Sequence, residues 1–359
     1  REREREMEGE IANFIMVWLS VYISLSYCYV AAKIVPKGAI RLMTVIIPVV
    51  SLFLALPLNL HSMHLGGTSA FFIAWLANFK LLMFAFGKGP LSDPSISLPR
   101  FVVIACLPVK IQQNPPPNAK ASKKGHKSPL NYASKVVLIA LLVRVYDYSE
   151  YLHSKLILFL YCFHIYFCLE LMLAISAALA RTLVGLELEP QFDEPYLSSS
   201  LQDFWGRRWN LMVSRVMRPT VYDPVLSLST RILGRQWAPL PAVLSTFVVS
   251  AIMHELIFYH LGRVWPTWEI SWFFLVHGVC LMVEIAIKKA VKGRCRLPRI
   301  ISGPLTFVFV MVTGFWWFFP PLLRCNGVVR GLEEYAAVGA FLKEVGQSLT
   351  FKSLNVTGA

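Results

Sequence analysis

The chain has 359 residues, 56% of them hydrophobic and 16% charged, with a formal net charge of +14 and a mean hydropathy of +0.55. Soluble domains run near 45–50% apolar and about 25% charged, so this composition excludes a disordered chain, a nucleic-acid-binding domain and an ordinary soluble enzyme. The 35 Lys and Arg fall mainly in loops between apolar runs, where they set orientation and meet anionic lipid rather than nucleic acid.

Residues 1–6 strictly alternate Arg and Glu ahead of Met7, and they are read as a lumenal extension (1–10) outside the functional unit. A spanning helix needs about 20 largely apolar residues. Runs of that kind lie at 11–32, 42–60, 70–86, 136–152, 156–180, 240–260, 270–287 and 301–323, predicting an all-α polytopic protein of about eight spans. The third run carries Lys80, and the fourth carries Arg144, Asp147 and Glu150. The seven connections contain 3, 0, 8, 1, 7, 1 and 6 Lys and Arg, 24 in the odd loops and 2 in the even ones. By the positive-inside rule, loops 33–41, 87–135, 181–239 and 288–300 face the cytosol and both termini face the lumen. Residues 11–345 then form a single membrane domain, and 346–359 a tail. Within the cytosolic loops, 111–129 is Pro-, Lys- and Ser-rich and reads as a flexible linker, whereas the motif region 189–220 is rich in tryptophan and reads as ordered. No internal repeat is present, which weighs against a transporter built from duplicated halves.

Ionisable groups within a bilayer are costly and are therefore functional candidates. They are His164 and Glu170 in the fifth span, His254 and Glu255 in the sixth, and His277 and Glu284 in the seventh. Each could equally be satisfied inside the bundle. His61 and His64 lie at the lumenal interface and are given no role. His254 stands apart because Leu240 to Met253 is free of charge, which puts it ~21 Å below the cytosolic surface at 1.5 Å per residue. A neutral imidazole there can take a proton from a hydroxyl. Glu255, next in sequence, points about 100° away and pairs elsewhere. The chain has no second His four residues after His254, no nucleophile elbow and no phosphate-binding glycine loop, so zinc-protease, lipase and nucleotide-hydrolase chemistry is excluded by spacing. The seven cysteines show no metal-type spacing. Cys280 is the nearest approach to an acyl-accepting nucleophile, without an evident thiolate stabiliser. No metal and no cofactor are implied. A proton relay of His254, Glu255 and Glu284 in a lipid or solute transporter is the alternative from another class.

The second constellation is Gln202-Asp-Phe-Trp-Gly-Arg-Arg-Trp-Asn210. Trp205 and Trp209 are four apart, and residues 204–218 read as an interfacial amphipathic helix. Its Trp205, Arg207, Arg208 and Trp209 suit either the headgroup belt or a mouth that receives a phosphate-rich acyl-CoA.

At these two constellations the chain resembles the plant wax synthase and sterol acyltransferase branch of the membrane-bound O-acyltransferase superfamily. The likeness rests on Glu189-Pro-Gln-Phe192 with Glu194-Pro-Tyr196, on Ser200 to Asn210, on Ser250-Ala-Ile-Met-His-Glu255, on Val283 to Lys289 and on Trp75-Leu-Ala-Asn-Phe-Lys80. It covers about residues 8–345. The resemblance implies a helical bundle enclosing a catalytic chamber in the endoplasmic reticulum membrane. It implies transfer of a fatty acyl group from CoA to a lipid alcohol, with His254 as general base and Asn210 holding the reacting groups. For the acceptor it divides. Leu107–Gln112 and Glu334–Phe341 are closer to the sterol branch, and Leu160–His164 and Val276–Cys280 to the fatty-alcohol branch. A long-chain fatty alcohol is the expected acceptor, with a sterol as the alternative.

Overall fold

Hydrocarbon offers the backbone no hydrogen-bonding partner, so a chain this apolar must satisfy its amides within helices. The computed structural model describes residues 2–108, 129–186, 191–291 and 297–356, and among them there are helices and turns but no strand. The helices are α1 (Glu2–Ala31), α2 (Ala39–Asn59), α3 (Met63–Ala85), α4 (Leu98–Cys106), α5 (Pro129–Tyr146), α6 (Ser154–Val184), α7 (Leu211–Met217), α8 (Asp223–Trp237), α9 (Pro239–Gly262), α10 (Glu269–Ala290), α11 (Arg299–Arg324) and α12 (Gly327–Val356).

Each transmembrane helix is apolar all round, and burial rather than polarity distinguishes its faces. In α1, Val17, Val21, Leu25 and Cys28 recur at helical spacing and are buried, while Ile15, Leu19 and Ile23 face outward. The outward side chains meet lipid, which is as apolar as they are. In α3, 78% of the apolar stretch is buried, against 11% in α6, so α3 is the central post and α6 an outer wall. Lys80 accounts for the charge in α3. Its buried ammonium donates to the carbonyl oxygens of Ile104 (2.6 Å) and Leu107 (2.7 Å), closing the C-terminal end of the short helix α4. Close approach of α9 and α10 depends on Gly278, where an added Cβ would stand 2.8 Å from Phe247.

Among the described residues, seven helices are long and apolar enough to cross a membrane, one fewer than the sequence leads one to expect. The missing one is α5, which takes in only 136–146 of the run expected over 136–152 and gives way to a turn after Tyr146. Connectivity nevertheless requires the chain to cross there. His164 of α6 meets the cluster around His64 at the start of α3, while Ala180 near the far end of α6 shares a core with Leu81 and Ile104. Helix α6 therefore runs parallel to α3, and α5 is the return stroke. A buried ion pair from Lys135 to Glu170 (2.6 Å) ties α5 to α6, which gives Glu170 its partner.

The linker 111–129 lies outside the described residues up to residue 128. The amphipathic helix expected over 204–218 is not formed. A π-helical turn, Phe204–Arg208, breaks at Trp209 and Asn210, and α7 then buries Met212, Val216 and Met217. The amphipathic role falls to α8, which exposes Leu228, Ile232 and Leu233 beside Arg231 and Arg235. Polar residues at the 204–218 junction are needed for the turn, and a turn interrupts helical periodicity.

Candidate active site

Residues 198–211 form a strap held by polar side chains of its own and by Gln191 and Glu284 on either side. Glu284 of α10 accepts the amide of Leu201 (2.9 Å) and pairs with Lys288 (2.6 Å), and Ser200 Oγ accepts the amide of Asp203 (3.1 Å). Asp203 in turn accepts the Ser199 amide (3.1 Å) and the Arg208 Nε–H (3.0 Å). Burial alone would raise the Asp203 pKa, but the Ser199 amide and the Arg208 guanidinium outweigh it and hold the carboxyl below its ordinary value. Arg208 also donates to the carbonyl oxygen of Asp193 (3.0 Å), so its fork is occupied within the protein. The first amides of α7 are capped in succession. Gln191 takes those of Leu211 (3.0 Å, by its carbonyl) and Met212 (2.7 Å, by Oε1), and Asn210 Oδ1 stands 3.5 Å from that of Val213. Asn210 itself is left-handed (φ 42°, ψ 63°), a conformation that Asn tolerates better than other side chains. With Oδ1 turned to the helix, the amide nitrogen keeps its two N–H donors.

Trp205 and Trp209 do not share a face. The Trp205 Nε1–H donates to Nδ1 of His277 (3.1 Å), whose Nε2–H donates to Thr313 Oγ1 (2.8 Å). That chain satisfies both nitrogens of His277, which is fully buried. Trp209 stacks on Phe204, with ring centroids 5.5 Å apart and planes 13° apart. Arg207 is exposed at the rim. The four residues expected to hold a donor are thus divided: two aromatic rings in a wall, one guanidinium inside the strap and one outside it.

His254 stands 15 residues into α9, ~22 Å from its start at 1.5 Å per residue. Its Nδ1–H donates to the Ser250 carbonyl oxygen (2.7 Å), which leaves the Nε2 lone pair as the acceptor. Phe274 stacks against the ring (4.1 Å, 30°) and Trp75 stands perpendicular to it (4.9 Å, 85°), so its orientation is fixed by packing. Glu255 points elsewhere, accepting the amide (3.0 Å) and hydroxyl (2.9 Å) of Ser271 on α10. His254, Asn210, Trp205 and Trp209 line one cavity of about 440 Å³. It reaches from Pro195 and Ser198, at the beginning of the strap, to Met63 and Gly327 at the first residues of α3 and α12.

A second polar cluster borders the same cavity, and of its residues the sequence singled out His164 alone as a candidate. Glu334 of α12 accepts the Nδ1–H of His64 (2.6 Å), the Ser62 hydroxyl (2.9 Å) and the amides of Met63 and His64. Burial would raise the Glu334 pKa, but the His64 ring and these amides hold it below the ordinary value. Nε2 of His64 is hydrogen-bonded to the Tyr335 hydroxyl (3.0 Å). That oxygen also receives the Nε2–H of His164 (3.1 Å) and lies 2.8 Å from the Cys168 sulfur. The partners are up to 272 residues apart, so no local spacing signals the cluster.

These features define a multi-pass helical membrane protein whose polar chemistry is gathered in a chamber within the lipid layer. Residues 188–276 match the sequence profile described as the membrane bound O-acyl transferase family. The chain is 52% identical to acyl-CoA–sterol O-acyltransferase 1 of Arabidopsis thaliana, over 95% of this chain and 99% of the relative. It is 44% identical to the long-chain-alcohol O-fatty-acyltransferase of Simmondsia chinensis, over 92% and 95%. It is 46% identical to probable long-chain-alcohol O-fatty-acyltransferase 1 of Arabidopsis thaliana, over 91% and 96%. The chain belongs to the membrane-bound O-acyltransferase family, which sets the transporter alternative aside.

Proposed function

We propose that the protein is an enzyme of the endoplasmic reticulum membrane that transfers a fatty acyl group from acyl-CoA to the hydroxyl of a long-chain fatty alcohol, giving a wax ester and free CoA. One observation carries the chemistry: an imidazole with its Nδ1–H committed to a backbone carbonyl, its Nε2 unprotonated, and its ring in the wall of a lipid-depth chamber. Nε2 takes the alcohol proton as the alcohol oxygen attacks the thioester carbonyl carbon. The tetrahedral species collapses with cleavage of the C–S bond, and the CoA thiolate recovers the proton from His254. Asn210, with both amide N–H groups available, holds the carbonyl oxygen or the donor. The apolar wall keeps water from the thioester. Acyl-CoA is a co-substrate, the transfer is direct, and neither metal nor cofactor takes part.

A sterol acceptor is the second reading, favoured by the 52% identity to a sterol O-acyltransferase over almost the whole chain. Both are tested by expressing the chain in a yeast that lacks its own sterol-esterifying and triacylglycerol-forming enzymes, feeding fatty alcohol and identifying the neutral lipids. Wax esters support the first reading. Sterol esters alone replace it with the second. In either case His254→Ala is expected to abolish ester formation at an unchanged protein level, and retained activity would exclude the base.

A further inference from the structure

Helix α11 turns a stripe of residues to the chamber, with Phe307, Val310, Met311 and Phe318 lining it at helical spacing. Gly314 belongs to the same stripe and lines the chamber without a side chain. It is buried, while Trp316, about 200° further round the helix, is exposed. Glycine inside a helix costs stability against alanine, so its place needs a reason. The usual ones are a left-handed backbone, a close approach of another chain segment, or a close approach of a ligand. The first does not hold, since Gly314 has an ordinary right-handed backbone (φ −61°, ψ −44°). Nor does the second. A Cβ added at Gly278 would stand 2.8 Å from Phe247, whereas one added at Gly314 would meet nothing within 4 Å beyond its chain neighbours and its own helix backbone. The wall is notched there, at a buried point on a stripe whose other members carry large side chains.

The notch opens at the level of the base. Helices α9 and α11 run parallel, because the single crossing α10 joins them, and Gly314 lies 15 residues after Arg299 as His254 lies 15 after Pro239. One turn further along both helices, Phe318 packs edge-on against Phe258, with ring centroids 5.4 Å apart. We infer that Gly314 determines acceptor width: the notch admits the ring skeleton of a sterol beside the reacting hydroxyl, so the chamber takes a sterol as well as a fatty alcohol. The inference rests on the acyl-transfer reading above and assigns its acceptor choice to one position. At His254 the two alcohols differ in breadth. A fatty alcohol presents its hydroxyl on a single methylene. A sterol presents it on a ring carbon flanked by two others, with the fused rings following at once. The slim chain leaves the notch empty, whereas the rigid skeleton cannot bend away from a side chain placed in it, and overfilling a packed site is costly.

Acceptor competition with the full chain in lipid nanodiscs tests it, using labelled palmitoyl-CoA and equal amounts of sitosterol and hexadecanol. Gly314→Ala and Gly314→Val fill the notch in two steps. The ratio of kcat/KM for sitosterol to that for hexadecanol is expected to fall about 10-fold in the first and about 100-fold in the second, by loss on the sterol. Gly339→Ala lies on an exposed turn of α12 where an added Cβ also meets nothing, so it makes the same exchange away from the chamber and is expected to keep the wild-type ratio. An unmoved ratio in Gly314→Val, an equal loss on both alcohols, or a matching fall in Gly339→Ala overturns the proposal. A wild type that esterifies only one of the two alcohols overturns it too, with acyl transfer left standing. Failure of Gly314→Ala to accumulate as folded protein assigns Gly314 to packing and likewise overturns it. A wild type inert toward both alcohols, or a His254→Ala variant that stays active, is instead the failure of the acyl-transfer reading, and the inference falls with it.

Discussion

Asn210 joins backbone and chemistry in one residue. Its positive φ makes the break between the π-helical turn and α7, and its side chain both caps α7 and faces the chamber. Most substitutions would disturb the turn and the amide together, with about 1–2 kcal/mol lost to left-handed strain alone. Asn210→Gly relieves that strain and removes only the amide. It is expected to fold and insert like the wild type, by thermal stability in detergent, yet to lose most ester-forming activity. If it keeps full activity, Asn210 is a cap and nothing more. Asn210→Ala should lose both activity and stability. At this scale the sequence was informative where a residue was chemically out of place. An imidazole in a charge-free span marks His254, and its capacity to accept a proton follows from burial before any coordinate is known. The hydrogen bond to Ser250 that selects the tautomer was also local, four residues back along the same helix.

Periodicity carried the long helices and failed at the strap, and the difference is physical. Seven crossings are long enough for apolar content to dominate any window, whereas residues 198–222 change direction several times within about one such length. The polar residues there were legible as special, but their roles were not. Arg207 and Arg208 are indistinguishable in sequence, yet Arg208 is bound to Asp203 and the Asp193 carbonyl while Arg207 is exposed. That division predicts different phenotypes. Arg207→Ala is expected to raise KM for acyl-CoA several-fold at unchanged kcat and to reduce the salt sensitivity of binding, since an exposed guanidinium acts by screened attraction to phosphate. Arg208→Ala is expected to leave that salt sensitivity alone and to destabilise the strap by about 1–3 kcal/mol, read as a lower thermal midpoint. The Asp203 carboxyl, held below its ordinary pKa, contributes stability that is full above the ordinary carboxylate range and is lost as pH falls through its lowered value. Arg208→Ala should therefore also flatten the acid limb of the stability profile. Glu334 and Tyr335 of α12 hydrogen-bond with His64 of α3 and His164 of α6, contacts between distant elements that no local window of sequence could signal.

For the molecule as a whole, orientation decides whether the chamber can work as argued. On the acyl-transfer reading the CoA ester is too polar to cross the bilayer, so Asn210 and the strap are expected to open to the cytosol, the side that the Lys and Arg distribution predicts for them. That placement depends on α5. If α5 crosses, α6 enters from the lumen and delivers its C-terminal end to the cytosol with the strap. A chain that turned back there would leave α6 antiparallel to α3, against the packing of His164 and Ala180 described above. Helix α5 is the least apolar of the crossings, with Arg144 and Lys135 inside it, and neutralising Lys135 by Glu170 is how the bundle accommodates one of these charges. Glycosylation mapping answers the question directly. An acceptor Asn-X-Thr, flanked by a short flexible spacer, is placed in the Ser149–Tyr151 turn between α5 and α6, and separately at Thr267 between α9 and α10 and in α8. Oligosaccharide transfer is confined to the lumen, so the sites at Ser149–Tyr151 and Thr267 are expected to shift in mass and the site in α8 is not. A shift in α8 without one at Ser149–Tyr151 would put the strap on the wrong side of the membrane for a CoA ester. His254 would then have no aqueous route to its donor, whatever its tautomer.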